Sequence, residues 1–372
     1  MTRPVLYAAI TNHGFGHATR SAAVLADLQR ACPDLRLILV TTAPKWLLDS
    51  YLVNDYLYRP QRLDIGAVQQ DSLTIDRAAT LEALQALRSQ QADLIATEVA
   101  CIQEQGAILV YGDIPPLAAR IAAAAGVPCW MSSNFGWDLI YQDWGKPFVE
   151  MVNWVREGFS LCDRLFRMPF HEPMSAFPNI EDIGLTGALP RYSRSELQAK
   201  VPRWIEGTPT VMLTFGGYGL SQVPYANVLK FPDWQFITFD SQAPTDLPNL
   251  IKVSGHQVRP VDLMPLCDRI ISKPGYGTFA EALMQDLPIV TVPRTGFAEA
   301  RYLVKGLQNH GHHLCLEPGE FETSTWDFLN RPLHPPQAPG PLDKTGNHTL
   351  VEAFMRLLGD RGAAPATSEW PH

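Results

Sequence analysis

The feature that most constrains the fold is an alternation of short apolar runs with helical segments, which occurs twice along the chain. In the first half, the strands are predicted at residues 5–11, 35–41, 107–111 and 127–131, and the helices at residues 18–31, 80–87 and an Ala-rich segment that stops at Gly126. In the second half, the strands are predicted at residues 210–215, 234–239, 251–254, 269–272 and 288–292, and the helices at residues 278–285 and 298–310. This order is typical of parallel, doubly wound α/β sheets.

The chain of 372 residues is long enough for two such domains. We place an N-terminal Rossmann-like domain at residues 1–185, a C-terminal domain at 186–345, and a last helix and tail at 346–372. Residues 184–202 are rich in Pro, Gly, Ser and Arg and are interpreted as the linker. Ligands of such sheets bind at the carboxyl ends of the strands, so we expect the two domains to face each other across a ligand-binding cleft.

Composition excludes several classes of protein. The net charge is −8, without a Lys/Arg-rich run, so nucleic acid is not the expected partner. The six cysteines include no C-x-x-C pair, which favours free thiols in a reducing cytoplasm. No apolar stretch approaches the ~20 residues of a membrane span, so we expect a cytoplasmic protein that is at most peripherally bound to a membrane.

The strongest motif is the segment 272–281, SKPGYGTFAE, which follows a predicted strand and opens a helix. Free N–H groups at a helix start form an anion site, and Gly275 and Gly277 let the backbone approach a phosphate. Thr278 adds a hydroxyl donor, and Glu281 lies on the same helix face, where its carboxylate can accept ribose hydroxyls. The structural alternative is a capping box between Thr278 and Glu281. A second backbone cradle is indicated where Gly216, Gly217 and Gly219 follow the strand at 210–215.

The segment 12–20, NHGFGHATR, forms the loop after the first strand. Its two glycines resemble a dinucleotide-binding loop, but Thr19 occupies the third glycine position, and Thr41 and Thr42 stand where an acid would bind ribose. His17 and His13 suit acid–base chemistry better, and we expect His17, at the helix start, to be the base. Asp113, at the end of another strand of the same sheet, can orient its imidazole.

A metal site is not predicted. The sequence has no Asp-x-Asp motif, and the cluster of His310, His312, His313 and Cys315 follows a predicted helix into what we expect to be a surface loop. Gly66 lies in a segment for which the sequence indicates no ligand contact.

These motifs resemble a known family. The segments HGFGHATR (13–20), SNFGWDLIY (133–141), FGG (215–217) and KPGYGTFAEAL (273–283) resemble the N-terminal, glycosyltransferase-like region of plant L-arabinokinases over most of residues 5–315. The sugar-kinase domain that follows in those proteins has no counterpart here, so arabinokinase activity is not expected. More distantly, the chain resembles the lipid-II-forming N-acetylglucosaminyl transferase and the UDP-glycosyltransferases, which have the two-domain GT-B fold.

The resemblance assigns roles to individual residues. It implies that Lys273 and Tyr276 join Gly275, Gly277, Thr278 and Glu281 in binding the donor nucleotide, and that Val258 contacts the nucleobase. It places the donor sugar near Glu299 and Arg301, where the superfamily often has Asp/Glu-Gln or Gln-Gln instead. The resemblance places the following residues on the acceptor side: Gly14, Phe15, Gly16, Arg20, Asn134 and Trp137.

The sequence therefore predicts a metal-independent glycosyltransferase that takes a nucleoside diphosphate sugar, with UDP as the expected nucleotide, and needs no other cofactor. Single displacement with inversion is expected, and the acceptor is a small molecule, glycan or lipid. Two alternatives stay open, namely a nucleotide-sugar 2-epimerase and a non-catalytic nucleotide-sugar-binding protein.

Overall fold

The structure is a computed structural model that describes residues 3–69, 74–216, 219–220 and 223–360. The chain divides into two compact units. Unit 1 comprises Met1–Val68, Ile75–Gly187 and Asp343–His372, and unit 2 comprises Gln69–Thr74 and Ala188–Leu342. The division after Gly187 lies close to the predicted boundary at 185. The C-terminal segment, which was predicted as a helix and tail after the second domain, is assigned to unit 1.

Unit 1 is built on a seven-stranded parallel sheet with the order β3-β2-β1-β4-β5-β6-β7. Its strands are β1 (Val5–Ile10), β2 (Arg36–Val40), β3 (Tyr56–Arg59), β4 (Ala107–Asp113), β5 (Cys129–Ser133), β6 (Arg164–Arg167) and β7 (Ile180–Asp182). Its helices are α1 (Gly16–Ala31), α2 (Lys45–Asp49), α3 (Arg77–Ser89), α4 (Gln91–Gln105), α5 (Pro116–Ala125), α6 (Trp137–Asp143), α7 (Val149–Phe159) and, at the C-terminus, α13 (Gly346–Asp360).

Unit 2 is built on a six-stranded parallel sheet with the order β10-β9-β8-β11-β12-β13. Its strands are β8 (Thr210–Thr214), β9 (Gln235–Thr238), β10 (Leu250–Lys252), β11 (Arg269–Ser272), β12 (Ile289–Thr291) and β13 (His313–Cys315). Its helices are α8 (Arg194–Lys200), α9 (Pro260–Leu263), α10 (Tyr276–Met284), α11 (Glu299–His310) and α12 (Glu320–Thr323). Both sheets confirm the predicted doubly wound α/β class.

The sequence explains the central elements of unit 1. Every residue of β1 is buried, as expected of a parallel strand that is covered on both faces. Helix α5 begins with Pro116 at its first position and ends before Gly126, which has the left-handed conformation (φ 70°) that glycine adopts without strain.

The C-terminal helix α13 is fixed to unit 1 by polar contacts at its start. The side-chain amide of Asn347 donates to Oδ2 of Asp27 on α1 at 2.7 Å and to the carbonyl of Gly187 at 3.0 Å. Its oxygen accepts the N–H of Gly187 at 3.1 Å. These contacts between residues about 160 and 320 positions apart explain why the helix belongs to unit 1.

The histidine cluster after α11 differs from the predicted surface loop. His313 begins the edge strand β13, where its side chain is buried and its backbone pairs with His334. Nδ1 of His313 lies 3.0 Å from the carbonyl oxygen of Gly311. None of the helices within the described ranges combines the length and the apolar character that a membrane span requires.

Candidate functional site

The histidine loop of unit 1 lies at the carboxyl edge of its sheet. Asp113 is the last residue of β4 and pairs with Ile10, the last residue of β1. Helix α1 begins at Gly16, so His17 lies in its first turn, and His17 Nδ1 lies 2.9 Å from Oδ1 of Asp113. The sequence separates these two residues by 96 positions, and the parallel pairing of β1 with β4 brings them together.

The carboxylate of Asp113 is fully buried and held from several sides. Arg20 donates to it twice, from Nε at 2.7 Å and from Nη2 at 2.5 Å, and the Ser21 hydroxyl donates at 2.8 Å. Burial alone would raise the pKa of Asp113, but the charges of Arg20 and His17 outweigh it and hold the pKa well below its usual range. Asp113 is therefore an anion over the physiological pH range.

Two contacts of 2.9 Å meet at Nδ1 of His17. One joins it to Oδ1 of Asp113, which can only accept, and the other to Nη2 of Arg20, which can only donate and which also donates to Asp113 and to the Ser133 hydroxyl. In the tautomer that donates from Nδ1 to Asp113, the lone pair of the neutral ring resides on Nε2. An imidazole oriented in this way can act as a general base at Nε2.

His13 has a different environment. Its Nδ1 accepts the backbone N–H of Ala67 at 3.3 Å, and its ring packs edge-on against Trp137 with the centroids 5.1 Å apart. Because Nδ1 is the acceptor, the proton of the neutral ring resides on Nε2, which leaves His13 as a donor. His17 stays the predicted base, because its Nδ1 can donate to Asp113 and leave Nε2 as the acceptor.

Two residues of this site were missed in the sequence. Gly66 has φ +66°, and a Cβ at this position would lie 2.7 Å from Cβ of His13. Gly66 therefore shapes the loop by its close approach to His13, and the expectation that it makes no ligand contact stays a prediction. The hydroxyl of Tyr141 donates to the carbonyl of Gly66 at 2.8 Å. No sequence signal marks Gly66 as part of the site, since an isolated glycine is typical of any turn.

Asp64 is the second missed residue. Its carboxylate is buried, where it accepts the Thr11 hydroxyl and, at 3.0 Å, the backbone N–H of Asn12. Burial raises the pKa of Asp64, against the hydrogen bonds from Thr11 and Asn12 and the charge of His17. Asp64 thus holds the first residues after β1 and adds a second carboxyl group to the surroundings of His17.

Three of the predicted acceptor-side residues support the site from within. Arg20, Asn134 and Trp137 are buried. Arg20 Nη1 donates to the Asn134 side chain at 3.0 Å, and Trp137 packs against both histidine rings. These contacts suit a positioning role for the three side chains, and their place on the acceptor side stays a prediction. Gly14 and Phe15 are partly exposed in the loop before α1, and Gly16, the first residue of α1, is exposed. Their place on the acceptor side stays a prediction.

The predicted anion site of unit 2 lies on three adjacent strands. Thr214, Ser272 and Thr291 are paired across β8, β11 and β12, and each is the last residue of its strand. Gly216 follows β8 with φ +79°, where a Cβ would lie 3.6 Å from Cε of Lys273. The N–H of Gly219 donates to the carbonyl of Gly216 at 3.0 Å, and Gly217 lies outside the described residues.

Helix α10 begins earlier than predicted. Gly275 is its N-cap, and Tyr276, Gly277 and Thr278 form its first turn. A capping box between Thr278 and Glu281 would need Thr278 as the N-cap, so that alternative is wrong. Gly275 is extended (φ −158°), and the nearest heavy atom to a Cβ there would be the carbonyl oxygen of Lys273, 3.9 Å away. The first turn of the helix is therefore open at Gly275.

Glu281 is buried in α10, with the backbone N–H of Ala188 as a hydrogen-bond donor to its side chain. Burial raises the pKa of Glu281 to about 8, although the charge of Arg259 and the Ala188 N–H oppose the rise. The group is therefore a protonated acid at neutral pH. Its predicted contact with ribose stays a prediction.

Lys273, Arg294 and Glu299 form a charged cluster beside this turn. Burial and the charge of Arg294 lower the pKa of Lys273 to about 7, against the opposing charge of Glu299. Burial likewise lowers the pKa of Arg294 to about 10. Arg294 was missed because it stands in no recognised motif, three residues after β12. Arg301 is exposed on α11, and its guanidinium lies 5.0 Å from the Tyr302 ring centroid. The structure therefore supports Glu299, but not Arg301, as a member of this cluster.

Val258 is half-buried in the loop between β10 and α9. The carbonyl of the preceding Gln257 accepts from Arg191 at 3.2 Å and from Tyr192 at 3.3 Å, which anchors this loop. The nucleobase contact of Val258 stays a prediction. Within the described part of the chain, no group of three or more His, Cys, Asp or Glu side chains is arranged to hold a metal ion.

The chain is similar to a plant protein over most of its length. It is 33% identical to the L-arabinokinase of Arabidopsis thaliana over 305 residues, which cover 79% of this chain and 28% of the relative. The chain thus spans about a quarter of that protein. No family model matches the chain.

Solved glycosyltransferase structures share the fold. The calicheamicin glycosyltransferase CalG4 covers 98% of this chain and all of its own, with a TM-score of 0.64 and 14% identity. The glycotransferase of kitacinnamycin covers 97% and 95%, with a TM-score of 0.60 and 15% identity. A transferase from Siraitia grosvenorii in complex with UDP covers 96% and 92%, with a TM-score of 0.53 and 14% identity. The chain therefore has the GT-B fold of these glycosyltransferases, and its sequence is similar to a segment of a plant L-arabinokinase.

Proposed function

We propose that the chain transfers a sugar from a nucleoside diphosphate sugar, with UDP as the nucleotide, to a hydroxyl group of an acceptor. The observation that carries this proposal is the contact of 2.9 Å between His17 and the buried carboxylate of Asp113 at the carboxyl edge of the first sheet. The GT-B fold, which this chain shares with solved glycosyltransferases, also supports the proposal, as an analogy between folds. The kinase activity named for the plant relative is not part of the proposal, since the chain spans 28% of that protein.

The proton transfer is assigned to unit 1. Nδ1 of His17 donates to Asp113, and Nε2 accepts the proton of the acceptor hydroxyl as its oxygen attacks the anomeric carbon. The anionic Asp113 stabilises the imidazolium that forms. The bond from the sugar to the diphosphate breaks as the new glycosidic bond forms, so a single displacement inverts the configuration.

The leaving group is assigned to unit 2. The backbone N–H groups of Tyr276, Gly277 and Thr278 at the start of α10 and the ammonium group of Lys273 bind the departing diphosphate. Gly216 and Gly219, in the loop after β8, contribute backbone groups to the same diphosphate site, and Val258 contacts the nucleobase. Glu281 binds the ribose and Glu299 the donor sugar. This set stabilises the negative charge of the diphosphate with protein groups, and neither a metal ion nor another cofactor is part of the proposal.

The test is a donor panel of UDP, GDP, TDP and their sugars, read by thermal shift, followed by release of the free nucleotide from the best donor. We expect stabilisation by one UDP-sugar and slow donor hydrolysis, which acceptor candidates accelerate. Incubation with UDP-N-acetylglucosamine alone distinguishes an epimerase, because it would form a new sugar without an acceptor. Binding without turnover under any condition would overturn the proposal in favour of a non-catalytic binder.

A further inference from the structure

Arg294, a partly buried residue of unit 2, has two buried guanidinium nitrogens without a hydrogen-bond acceptor among the residues that the structure describes. These two atoms are Nε and Nη2. The guanidinium carbon lies 3.8 Å from the centroid of the Phe297 ring, so the aromatic face holds the group by a cation–π contact without using its N–H donors.

This arrangement is costly for the folded protein. Buried polar atoms are almost always hydrogen-bonded, and donors left without an acceptor destabilise a fold even though the charge of Glu299 favours the charged form of Arg294. The pKa of Arg294 is lowered to about 10, so the group still carries its charge at neutral pH. Buried donors that an aromatic ring holds in a fixed position are suited to binding an acceptor group of a ligand.

The charged residues around Arg294 indicate which class of ligand suits its guanidinium donors. Arg294 is charged at neutral pH, Lys273 with its pKa of about 7 takes up a proton readily when an anion is near, and Glu299 supplies one negative charge. They follow the neighbouring strands β11 and β12, whose last residues are paired, and they stand beside the open first turn of α10. An anion is the ligand class that would balance the positive charge of Arg294 and a protonated Lys273. The planar guanidinium can bind a phosphate or a carboxylate through two parallel hydrogen bonds.

We propose that Arg294 binds an oxyanion of the donor, together with Lys273. The inference rests on the proposed function and deepens it by adding a binding residue that no sequence motif marks. Two sources offer this chemistry, the diphosphate of any donor and the carboxylate of a uronic acid sugar, and the experiment distinguishes them.

The experiment compares wild-type protein, Arg294→Gln and Arg203→Gln by titration calorimetry with uridine, UDP, UDP-glucose, UDP-glucuronate and inorganic pyrophosphate. Arg203 is an exposed arginine of the same unit whose guanidinium donates to the carbonyls of Leu247 and Pro248, so its replacement changes the same charge. We expect Arg294→Gln to bind UDP about 10- to 100-fold more weakly, while uridine binding and the behaviour of Arg203→Gln stay as in wild type.

The ligand panel assigns the source of the oxyanion. An equal loss for UDP, UDP-glucose and UDP-glucuronate identifies the diphosphate, and a loss confined to UDP-glucuronate identifies the sugar carboxylate. Either result supports the inference.

A thermal melt of the free protein separates binding from a structural role. Removal of unsatisfied donors should leave the melting temperature of Arg294→Gln unchanged or higher, whereas loss of a structural arginine would lower it. Unchanged binding of every ligand by Arg294→Gln overturns the inference but leaves the proposed function standing. If pyrophosphate binds in a way that depends on Arg294 but no nucleotide binds, oxyanion binding by Arg294 stands and the proposed function is overturned. If the wild-type protein binds none of the ligands, both the inference and the proposed function are overturned.

Discussion

Nδ1 of His17 and Oδ1 of Asp113 are 2.9 Å apart, and the same carboxylate is held by the guanidinium of Arg20 and the hydroxyl of Ser21. The orientation of Asp113 is therefore fixed before any ligand binds. Next to it, Ile114 has a positive φ of 52°, a strained conformation for a β-branched residue. Strain of this kind is often found at functional sites, and here it directly follows Asp113, which we propose to orient the base.

The first prediction separates the two histidines. His17→Ala should lose about 10²- to 10⁴-fold in turnover, because it removes the general base, while the dissociation constant for UDP stays near wild type. His13→Ala should lose less, since its Nδ1 is engaged with Ala67. The measurement is nucleotide release from the donor, with UDP calorimetry alongside and the exposed His348→Ala as the control. A large loss in His13→Ala with full activity in His17→Ala would transfer the role of the base to His13.

The second prediction concerns stability and Asp113. Asp113→Asn should lower the free energy of unfolding by about 3–5 kcal/mol, because it leaves the buried guanidinium of Arg20 without its counter-charge. The pKa of Asp113 is lowered in the folded state, so its contribution is present above the unfolded value of about 3.9 and is lost as the pH falls below it. The difference between wild type and variant should therefore shrink from pH 7 to pH 3.

Urea denaturation at several pH values measures this difference. Asp143→Asn, at an exposed aspartate of the same unit, is the matched control. A difference that stays constant down to pH 3 would show that the charge of Asp113 does not stabilise the fold.

The sequence predicts the strand-to-helix loops well, because their signals are local. The segments 12–20 and 272–281 each combine a buried strand, glycines and a helix start, and the structure places both at carboxyl edges of sheets. His17 and Asp113 could be paired from the sequence, since parallel strands end at one edge.

The residues that were missed owe their roles to tertiary contacts. Gly66 and Asp64 lie about 50 positions from the loop they support, in a segment without regular structure. Two guanidinium nitrogens of Arg294 are buried by tertiary packing, which the sequence PRTG does not encode. The short strands β3, β6, β7 and β13 were also missed, because runs of three or four residues carry little periodicity.

The third prediction follows from the raised pKa of Glu281, about 8 in the folded protein. The unfolded chain releases this proton near pH 4.3, so between roughly pH 4.5 and 8 the folded state holds one more proton. As the pH rises through that window, this group therefore lowers the free energy of unfolding by about 1.4 kcal/mol for each pH unit. Glu281→Gln should remove this slope and gain stability relative to wild type up to pH 8.

Denaturation at pH 5, 6, 7 and 8 tests the slope, with the exposed Glu104→Gln as the control. The same variants test the ribose contact, because Glu281→Ala should weaken UDP binding by roughly ten- to a hundredfold. Identical pH profiles for wild type and Glu281→Gln would contradict a buried acid, and an unchanged dissociation constant in Glu281→Ala would remove Glu281 from the donor site.

The fourth prediction concerns Lys273, whose pKa is lowered to about 7. A bound diphosphate favours the charged amine, so donor affinity should fall as the pH rises from 7 to 9, by up to about tenfold per unit for one linked proton. Lys273→Arg stays charged in this range and should bind with little dependence on pH. UDP-glucose is the suitable ligand, since its diphosphate does not titrate there, and the exposed Lys305→Arg is the control. Parallel pH profiles for wild type and Lys273→Arg would exclude contact between Lys273 and the diphosphate.

The last prediction concerns the open turn before α10. Gly275 is extended, and a Cβ there meets no heavy atom closer than 3.9 Å, so Gly275→Val should fold normally. The added side chain occupies the space in which a phosphate would approach the N–H groups of the first helical turn, so UDP binding should be lost. Gly66→Val cannot serve as the control, because a Cβ at Gly66 would lie 2.7 Å from Cβ of His13.

Gly359→Val is a better control, since a Cβ at Gly359 in α13 has no neighbour within 4 Å. Circular dichroism and thermal melts of both variants should match wild type, and UDP calorimetry should then separate them. Retention of UDP by a folded Gly275→Val would show that the diphosphate does not approach this turn. Because uridine carries no phosphate, its binding should survive in Gly275→Val, which distinguishes a blocked phosphate site from a general loss of the donor site.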